Sequence, residues 1–148
     1  MEIRELSRDS YHLIKEMWIK LNRLHGELST NFKSHFESFT FEKRMKPLFE
    51  KTHLSVFIAT EHTENIGYCI VSAENGKGEI DSIFIEPGYR KKGIGSSLIR
   101  RAMDWFNSIG CHSISIFVAD GNDSVLDFYQ SFGFHKYAVL LKNKGTTA

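Results

Sequence analysis

Hydrophobic and polar positions follow two rhythms along the chain, and the change falls near residue 50. In the N-terminal third, Leu13, Ile14, Met17, Trp18, Leu21 and Leu24 recur at intervals of three and four. That spacing predicts one amphipathic helix beginning near Tyr11. Ser7-Arg8-Asp9-Ser10 supplies N-cap candidates before it, and His25-Gly26 a stop. Alternation of apolar and charged residues over Met1–Leu6 predicts a short strand. From Leu28 to Phe49, Phe32, Phe36, Phe39 and Phe41 are scattered among charges, which reads as a second helix or two helical pieces ending near Pro47.

Beyond residue 50 the period shortens. Leu54–Thr60, Ile66–Ala73 and Glu79–Ile85 are apolar, β-branched runs separated by a turn at His62–Asn65 and an Asn75-Gly76 hairpin signal. They predict an antiparallel meander. Gly76 and Gly78 both read as hairpin geometry. Gly95–Asn107 returns to helical spacing, with Leu98, Ile99, Ala102, Met103, Trp105 and Phe106 on its buried face. Ser113–Val118 is then a strand, Asn122–Phe132 a short helix and Phe134–Leu141 a last strand. The expected architecture is an α/β (α+β) fold whose mixed sheet is antiparallel first and parallel later. With no repeat, linker or low-complexity block, residues 1–148 are expected to form a single domain.

Composition narrows the function. At 148 residues, 41% apolar and 25% charged, the chain can bury a core and is not a disordered polymer. The net charge is +1, which argues against a dedicated nucleic-acid binder. No apolar run approaches the ~20 residues needed to span a bilayer, and the opening MEIRELSRDS lacks the apolar stretch of a signal peptide. Cys69 and Cys111 sit in apolar runs without metal spacing, so they read as core filler in a reduced, cytoplasmic protein. The seven histidines show no metal-binding spacing, and no metal is expected.

The informative stretch is Glu79–Leu98, EIDSIFIEPGYRKKGIGSSL. A strand runs into Pro87, then a cationic turn Tyr89-Arg90-Lys91-Lys92, then Gly93-Ile94-Gly95 opening a helix. Backbone N–H groups at a helix start, with no side chains in the way at Gly93 and Gly95, form an anion cradle. The three cations stand where a phosphate would approach, so the physical reading is a pyrophosphate binder. A P-loop does not fit, because Ile94 stands where the phosphate-binding lysine must be. A dinucleotide fingerprint does not fit either. Leu98 replaces its third glycine, and the region that should carry a ribose-binding acid is CHSISIFV.

The run Arg90-Lys91-Lys92-Gly93-Ile94-Gly95 resembles the R/Q-x-x-G-x-G/A signature of the GNAT superfamily of N-acetyltransferases. Downstream, Asn122 to Phe134 (NDSVLDFYQSFGF) is similar to that family's second signature. The resemblance covers Ser55–Leu141 and implies a GNAT-type fold: a mixed, mostly antiparallel sheet of six to seven strands flanked by about four helices. It further implies an N-acetyltransferase that uses acetyl-CoA as acyl donor and a primary amine of a small molecule or peptide as acceptor, by direct attack in a ternary complex. Arg90, Lys91, Lys92, Gly93, Ile94, Gly95 and Ser96 would hold the pyrophosphate. The backbone of Ile83, Phe84 and Ile85 would pair with the pantetheine arm, and Asn122 would contact the cofactor. Tyr129 matches the tyrosine placed near the thioester sulfur as general acid. A homodimer is one state the analogy allows.

The chemistry requires a neutral amine, a stabilised oxyanion and a proton for the departing thiolate. A backbone N–H of β-structure near Ile85 can serve the oxyanion. Tyrosine, of ordinary pKa ~10, can protonate a thiolate of pKa ~8.5. The general base is open between two acids: Glu79 and Asp81 share one strand face under period-2 alternation, a face that extends to Ile83. Glu79 stands near where histone-type members carry their glutamate, and Asp81 is the alternative, acting through an ordered water. A non-catalytic acyl-CoA sensor or interaction module is the rival reading.

Overall fold

A computed structural model describes residues 1–144. Its strands are β1 (Glu2–Glu5), β2 (His53–Glu61), β3 (Glu64–Glu74), β4 (Lys77–Ile85) and β5 (Ser113–Ile116). Its helices are α1 (Lys15–Leu28), α2 (Lys33–Ser38), α3 (Phe41–Phe49), α4 (Ile94–Ser108) and α5 (Leu126–Gln130). The chain gathers into two compact units, Met1–Leu21 with Thr40–Phe117, and Asn22–Phe39 with the chain from Val118 on.

The first unit holds the whole sheet, in the order β1-β2-β3-β4-β5. The first three pairings are antiparallel and β4–β5 is parallel. The two hairpins close with His62-Thr63 (φ 49° and 68°) and Asn75-Gly76 (φ 52° and 76°). Two consecutive left-handed residues make the type I′ turn, whose twist matches that of the flanking strands. The parallel β4–β5 pair needs a crossover, and α4 provides it. This helix buries Ile94, Leu98, Ile99, Ala102 and Phe106 along one stripe, while Met103 and Trp105 are only half-buried. Gly78 is what lets α4 settle on β4, because a Cβ there would lie 2.5 Å from the Phe106 ring. It is therefore a packing glycine, and only Gly76 belongs to the turn.

The N-terminal helices supply Ile14, Met17, Trp18, Phe41, Met45 and Leu48 to the core of this unit. Arg8–Ile14 forms a 3-10 turn before α1, so the predicted helix starts later as an α-helix and runs on past Gly26 to Leu28. Thr40 caps α3, its Oγ1 accepting from the Lys43 N–H at 3.1 Å. Pro47 sits inside the last turn of α3, where only Leu48 and Phe49 follow before the chain unwinds.

The second unit is built of short pieces. The Asn22 side chain donates to the Phe36 carbonyl at 2.7 Å, and Ser29 Oγ accepts from the Phe32 N–H at 3.0 Å. Gly121, at φ +93°, passes so close to α1 that an added Cβ would meet the Leu28 carbonyl oxygen at 2.5 Å.

Two expectations are corrected and one open alternative is decided. The sheet has five strands, not six to seven, because Phe134–Leu141 forms no ladder among the described residues. Tyr137, Val139, Leu140 and Leu141 are exposed, and an isolated run of β-formers is not a strand until a neighbour takes its backbone hydrogen bonds. Among the described residues there are five α-helices, Leu28–Phe49 taking the two-piece form of its reading. The predicted helix at Asn122–Phe132 is a 3-10 turn, Asp123–Val125, followed by the short α5.

Candidate active site

The turn after β4 carries the features expected of an anion cradle. Lys91 (φ 63°) and Gly93 (φ 81°) are left-handed, and Gly93 is the N-cap of α4. The helix's first i to i−4 bond runs from the Ser97 N–H to the Gly93 carbonyl at 3.0 Å. The amides of Ile94, Gly95 and Ser96 therefore head the helix without an intrahelical acceptor. No acidic residue lies in the first turn, and a Cβ at Gly93 or Gly88 would have no atom within 4 Å. The turn is thus open, cationic and lined with amides.

The turn is also pinned. The Tyr89 hydroxyl donates to Glu64 Oε2 at 3.0 Å, and Lys20 Nζ pairs with Glu86 at 2.8 Å. Arg90 Nε donates to the Ile85 carbonyl at 2.9 Å, with the guanidinium over the Phe84 ring. Arg90 thus ties the turn to the end of β4, whereas Lys92 Nζ stands over the Tyr89 ring. Alongside, the β4–β5 ladder stops at Ile80–Ile116. From Asp81 to Ile85 that edge of β4 has no strand partner among the described residues. Ile83 and Ile85 are half-buried there and Phe84 is buried.

The acids sit at an irregularity in the same strand. Ile70 faces Ser82 and Val71 faces Ile80, so Asp81 is the extra residue of a β-bulge. Ser72 faces Glu79 and Cys69 faces Ile83. Strict alternation would keep Glu79, Asp81 and Ile83 on one face; the bulge turns Ile83 to the opposite one. Glu79 and Asp81 remain neighbours. The Asp81 side chain has no exposed surface (0%), and neither carboxylate oxygen has a hydrogen-bond partner among the described residues. Arg44, from α3, places Nη2 3.3 Å from the Asp81 carbonyl oxygen and 3.6 Å from Oδ1. Burial first, then the adjacent Glu79 carboxyl, pushes the Asp81 pKa up to about 8; Ser72 and Arg44 act the other way. The Ser72 hydroxyl is close enough to favour the charged form, yet it too lacks a bonded partner. Beside it the Tyr68 hydroxyl shares a 2.7 Å hydrogen bond with Ser82, and burial raises the Tyr68 pKa. Arg44 was not legible in the sequence. It lies 37 residues from Asp81, and nothing local to Lys43-Arg44-Met45 distinguishes it from a solvated helix cation.

Asn122 and Tyr129 belong to the second unit. Asn122 precedes the 3-10 turn without capping it by its side chain. Tyr129 is buried in α5, with its ring edge-on to Phe128 and Phe134. Its carbonyl accepts from the Phe132 and Phe134 N–H groups. The structure therefore gathers Glu79, Asp81, Ile83–Ile85 and Arg90–Ser96 in one unit, and holds the second signature in the other. The phenylalanine cluster divides as well. Phe41 packs edge-on to Trp18, whereas Phe36 and Phe39 flank His35. His25 meets Phe36 edge-on, and burial lowers its pKa. Burial raises the thiol pKa of Cys69, which suits a core residue rather than a nucleophile. Among the described residues there is no His/Cys/Asp/Glu group fit to hold a metal, and no helix long and apolar enough to cross a membrane.

Comparison with known proteins bears on the fold and the family. An N-acetyltransferase of Methanocaldococcus jannaschii, described as uncharacterized, is 25% identical over 148 aligned residues, covering 88% of this chain and 66% of that protein. The chain spans less than two-thirds of the length of the curated relatives it matches. Among solved structures, the tetramutant of the BH1408 protein from Bacillus halodurans superimposes with a TM-score of 0.77 at 16% identity, over 97% of this chain and 99% of that one. The aminoglycoside N-acetyltransferase AAC(6')-Iy, solved in complex with CoA, gives a TM-score of 0.64 at 21% identity, over 98% and 100% of the two chains. These likenesses are of fold. Residues 18–134 match the Acetyltransferase (GNAT) family, and with both signatures falling inside that span the chain belongs to the GNAT family.

Proposed function

We propose that the chain works as one domain, an N-acetyltransferase that moves the acetyl group of acetyl-CoA to a primary amine by direct attack in a ternary complex. The observation that carries this reading is the open amide-lined turn at Lys91–Ser96, set directly after a strand whose edge lacks a partner beyond Ile80. The turn suits a pyrophosphate, since helix-start amides and neighbouring cations both favour an anion. The strand-free edge at Ile83–Ile85, apart from the Ile85 carbonyl that Arg90 occupies, offers N–H and C=O groups to an extended amide-bearing arm, as an added strand would.

The amine must reach the thioester carbonyl without its extra proton. Asp81 takes that proton through an ordered buried water, which the acceptor capacity left on both of its carboxylate oxygens would hold. A carboxyl raised to about 8 is close to the operating pH, where a general base works best. Nitrogen then bonds to the carbonyl carbon, and a β4 amide near Ile85 stabilises the oxyanion. As the C–S bond breaks, Tyr129 gives its hydroxyl proton to the leaving thiolate. Asn122 contacts the cofactor. The acceptor is defined as a primary amine and no more narrowly, since the aminoglycoside enzyme shares fold at 21% identity.

Titration calorimetry with acetyl-CoA, and with ATP and NAD as controls, tests the reading. Micromolar binding confined to acetyl-CoA is the expected result, and no heat with acetyl-CoA overturns it. Thiol release is then followed with spermidine, lysine and sisomicin. Binding without thiol release from a broad amine panel would favour an acyl-CoA sensor.

A further inference from the structure

Among the described residues, Arg44 is the charged side chain in ion-pair contact with the buried carboxylate, and the same guanidinium also reaches the Asp81 backbone. Nη2 is 3.3 Å from the backbone carbonyl of Asp81 and 3.6 Å from its Oδ1. The backbone contact falls on the residue that the bulge pushes out of the ladder, where a carbonyl loses its cross-strand partner. Arg44 keeps 27% of its side chain exposed while Asp81 keeps none. The guanidinium therefore bridges solvent and a sealed acid. At the sheet, the titratable groups acting with Asp81 are Glu79 on β4 and Cys69 on β3; burial holds Cys69 neutral, and likewise Tyr68, which acts with Cys69 and Arg44. Arg44 is thus the positive charge set against two carboxyls.

We propose that Arg44 is the positioning residue of this site: from α3 it holds the backbone and carboxylate of Asp81 at the β4 bulge, and so keeps a buried acid ionisable and fixed in place. The proposal rests on the reading of Asp81 as the base, but its first test does not need activity. Removing a neighbouring cation disfavours the carboxylate, so the proton is held more tightly and Asp81 titrates at higher pH.

Carbon-13 NMR of the Asp81 carboxyl, assigned through Asp81→Asn, is followed against pH in the free protein and in R44M and R44K. In R44M the titration moves up by about one unit or more, whereas R44K stays near the native midpoint. An unchanged midpoint in folded R44M overturns the proposal, as does an R44K that behaves like R44M. Should R44M not fold, Arg44→Gln takes its place under the same readout. Kinetics with acetyl-CoA and the panel amine giving the fastest thiol release then separate the two readings. The acid limb of kcat/KM follows the carboxyl upward, with a roughly tenfold loss at neutral pH that fades in alkali. A carboxyl that shifts while the limb stays still leaves Arg44 in its role and removes Asp81 as base. A loss equal at every pH, with the carboxyl unmoved, marks Arg44 as merely structural.

Discussion

The turn after β4 and the bulge within it are a dozen residues apart, yet they are built in opposite ways. The turn is exposed and what it presents is backbone: two left-handed residues, helix-start amides with no intrahelical acceptor, and empty space above Gly93. The bulge is sealed and is made of side chains, an acid with no exposed surface whose proton is held by burial first and the Glu79 carboxyl second, with Arg44 acting the other way. An exposed backbone site can be blocked without disturbing the fold. A buried charged site cannot be altered without changing stability as well as rate.

The sharpest way to break this contrast is Gly93→Glu. It adds a carboxylate to the amide-lined opening at a position where a side chain meets no atom within 4 Å. The backbone at φ 81° is strained for any residue with a Cβ, by about 1–2 kcal/mol. Acetyl-CoA affinity is expected to fall at least about 100-fold, equivalent to about 2.7 kcal/mol, while circular dichroism stays native. Gly93→Ala carries the same strain without the charge and should bind within a few-fold of native. Retained tight binding by the glutamate variant would mean that the turn does not hold the pyrophosphate.

Next in size is Tyr129→Phe, which asks whether the second unit contributes a proton rather than affinity. Loss of a general acid costs roughly 100-fold in kcat, with the calorimetric affinity for acetyl-CoA unchanged. Unaltered turnover with a good acceptor would remove Tyr129 from the reaction. Because phenylalanine keeps the edge-on ring contacts with Phe128 and Phe134, a change in binding alone would point instead to a packing role.

The same contrast explains what was legible in the sequence. β2, β3 and β4 were readable because their signals are local: alternating apolar runs and an Asn75-Gly76 turn that needs left-handed residues. The strand, open turn and helix start were readable for the same reason, since strand, cations and glycines all fall within Glu79–Leu98. The face of Ile83 was misread, because the bulge at Asp81 is set by its pairing with Ile70 and Val71, residues on another strand. Gly78 looked like a turn residue beside Gly76, and only the ring of Phe106, 28 positions on, shows that it packs against a helix. Arg44 left no trace at all. At Phe134–Leu141 the sequence carries strand propensity, but propensity without a neighbouring strand forms no ladder.

The smallest expected effect is also the one that most sharpens the comparison, since it should move stability and rate in opposite directions. Asp81 titrates at about 8 in the folded chain, against about 3.9 when unfolded. The native state therefore holds the proton more tightly than the unfolded state does. The contribution of Asp81 to wild-type stability is then greatest below pH ~4, declines as pH rises and is fully lost above pH ~8. Asp81→Asn cannot ionise, so its advantage should be near zero at pH 4 and grow to a plateau in alkali. Part of the gain is offset because Arg44 loses its carboxylate, although its exposed surface lets water replace it. A net gain of about 2 kcal/mol, or roughly 6 °C in Tm, is expected at pH 9, together with a fall in kcat/KM. Melting curves at pH 4, 6.5 and 9 check the slope. An asparagine variant less stable than native at pH 9 would show that the buried carboxylate is well satisfied, and that the bulge does not hold a strained acid kept for chemistry.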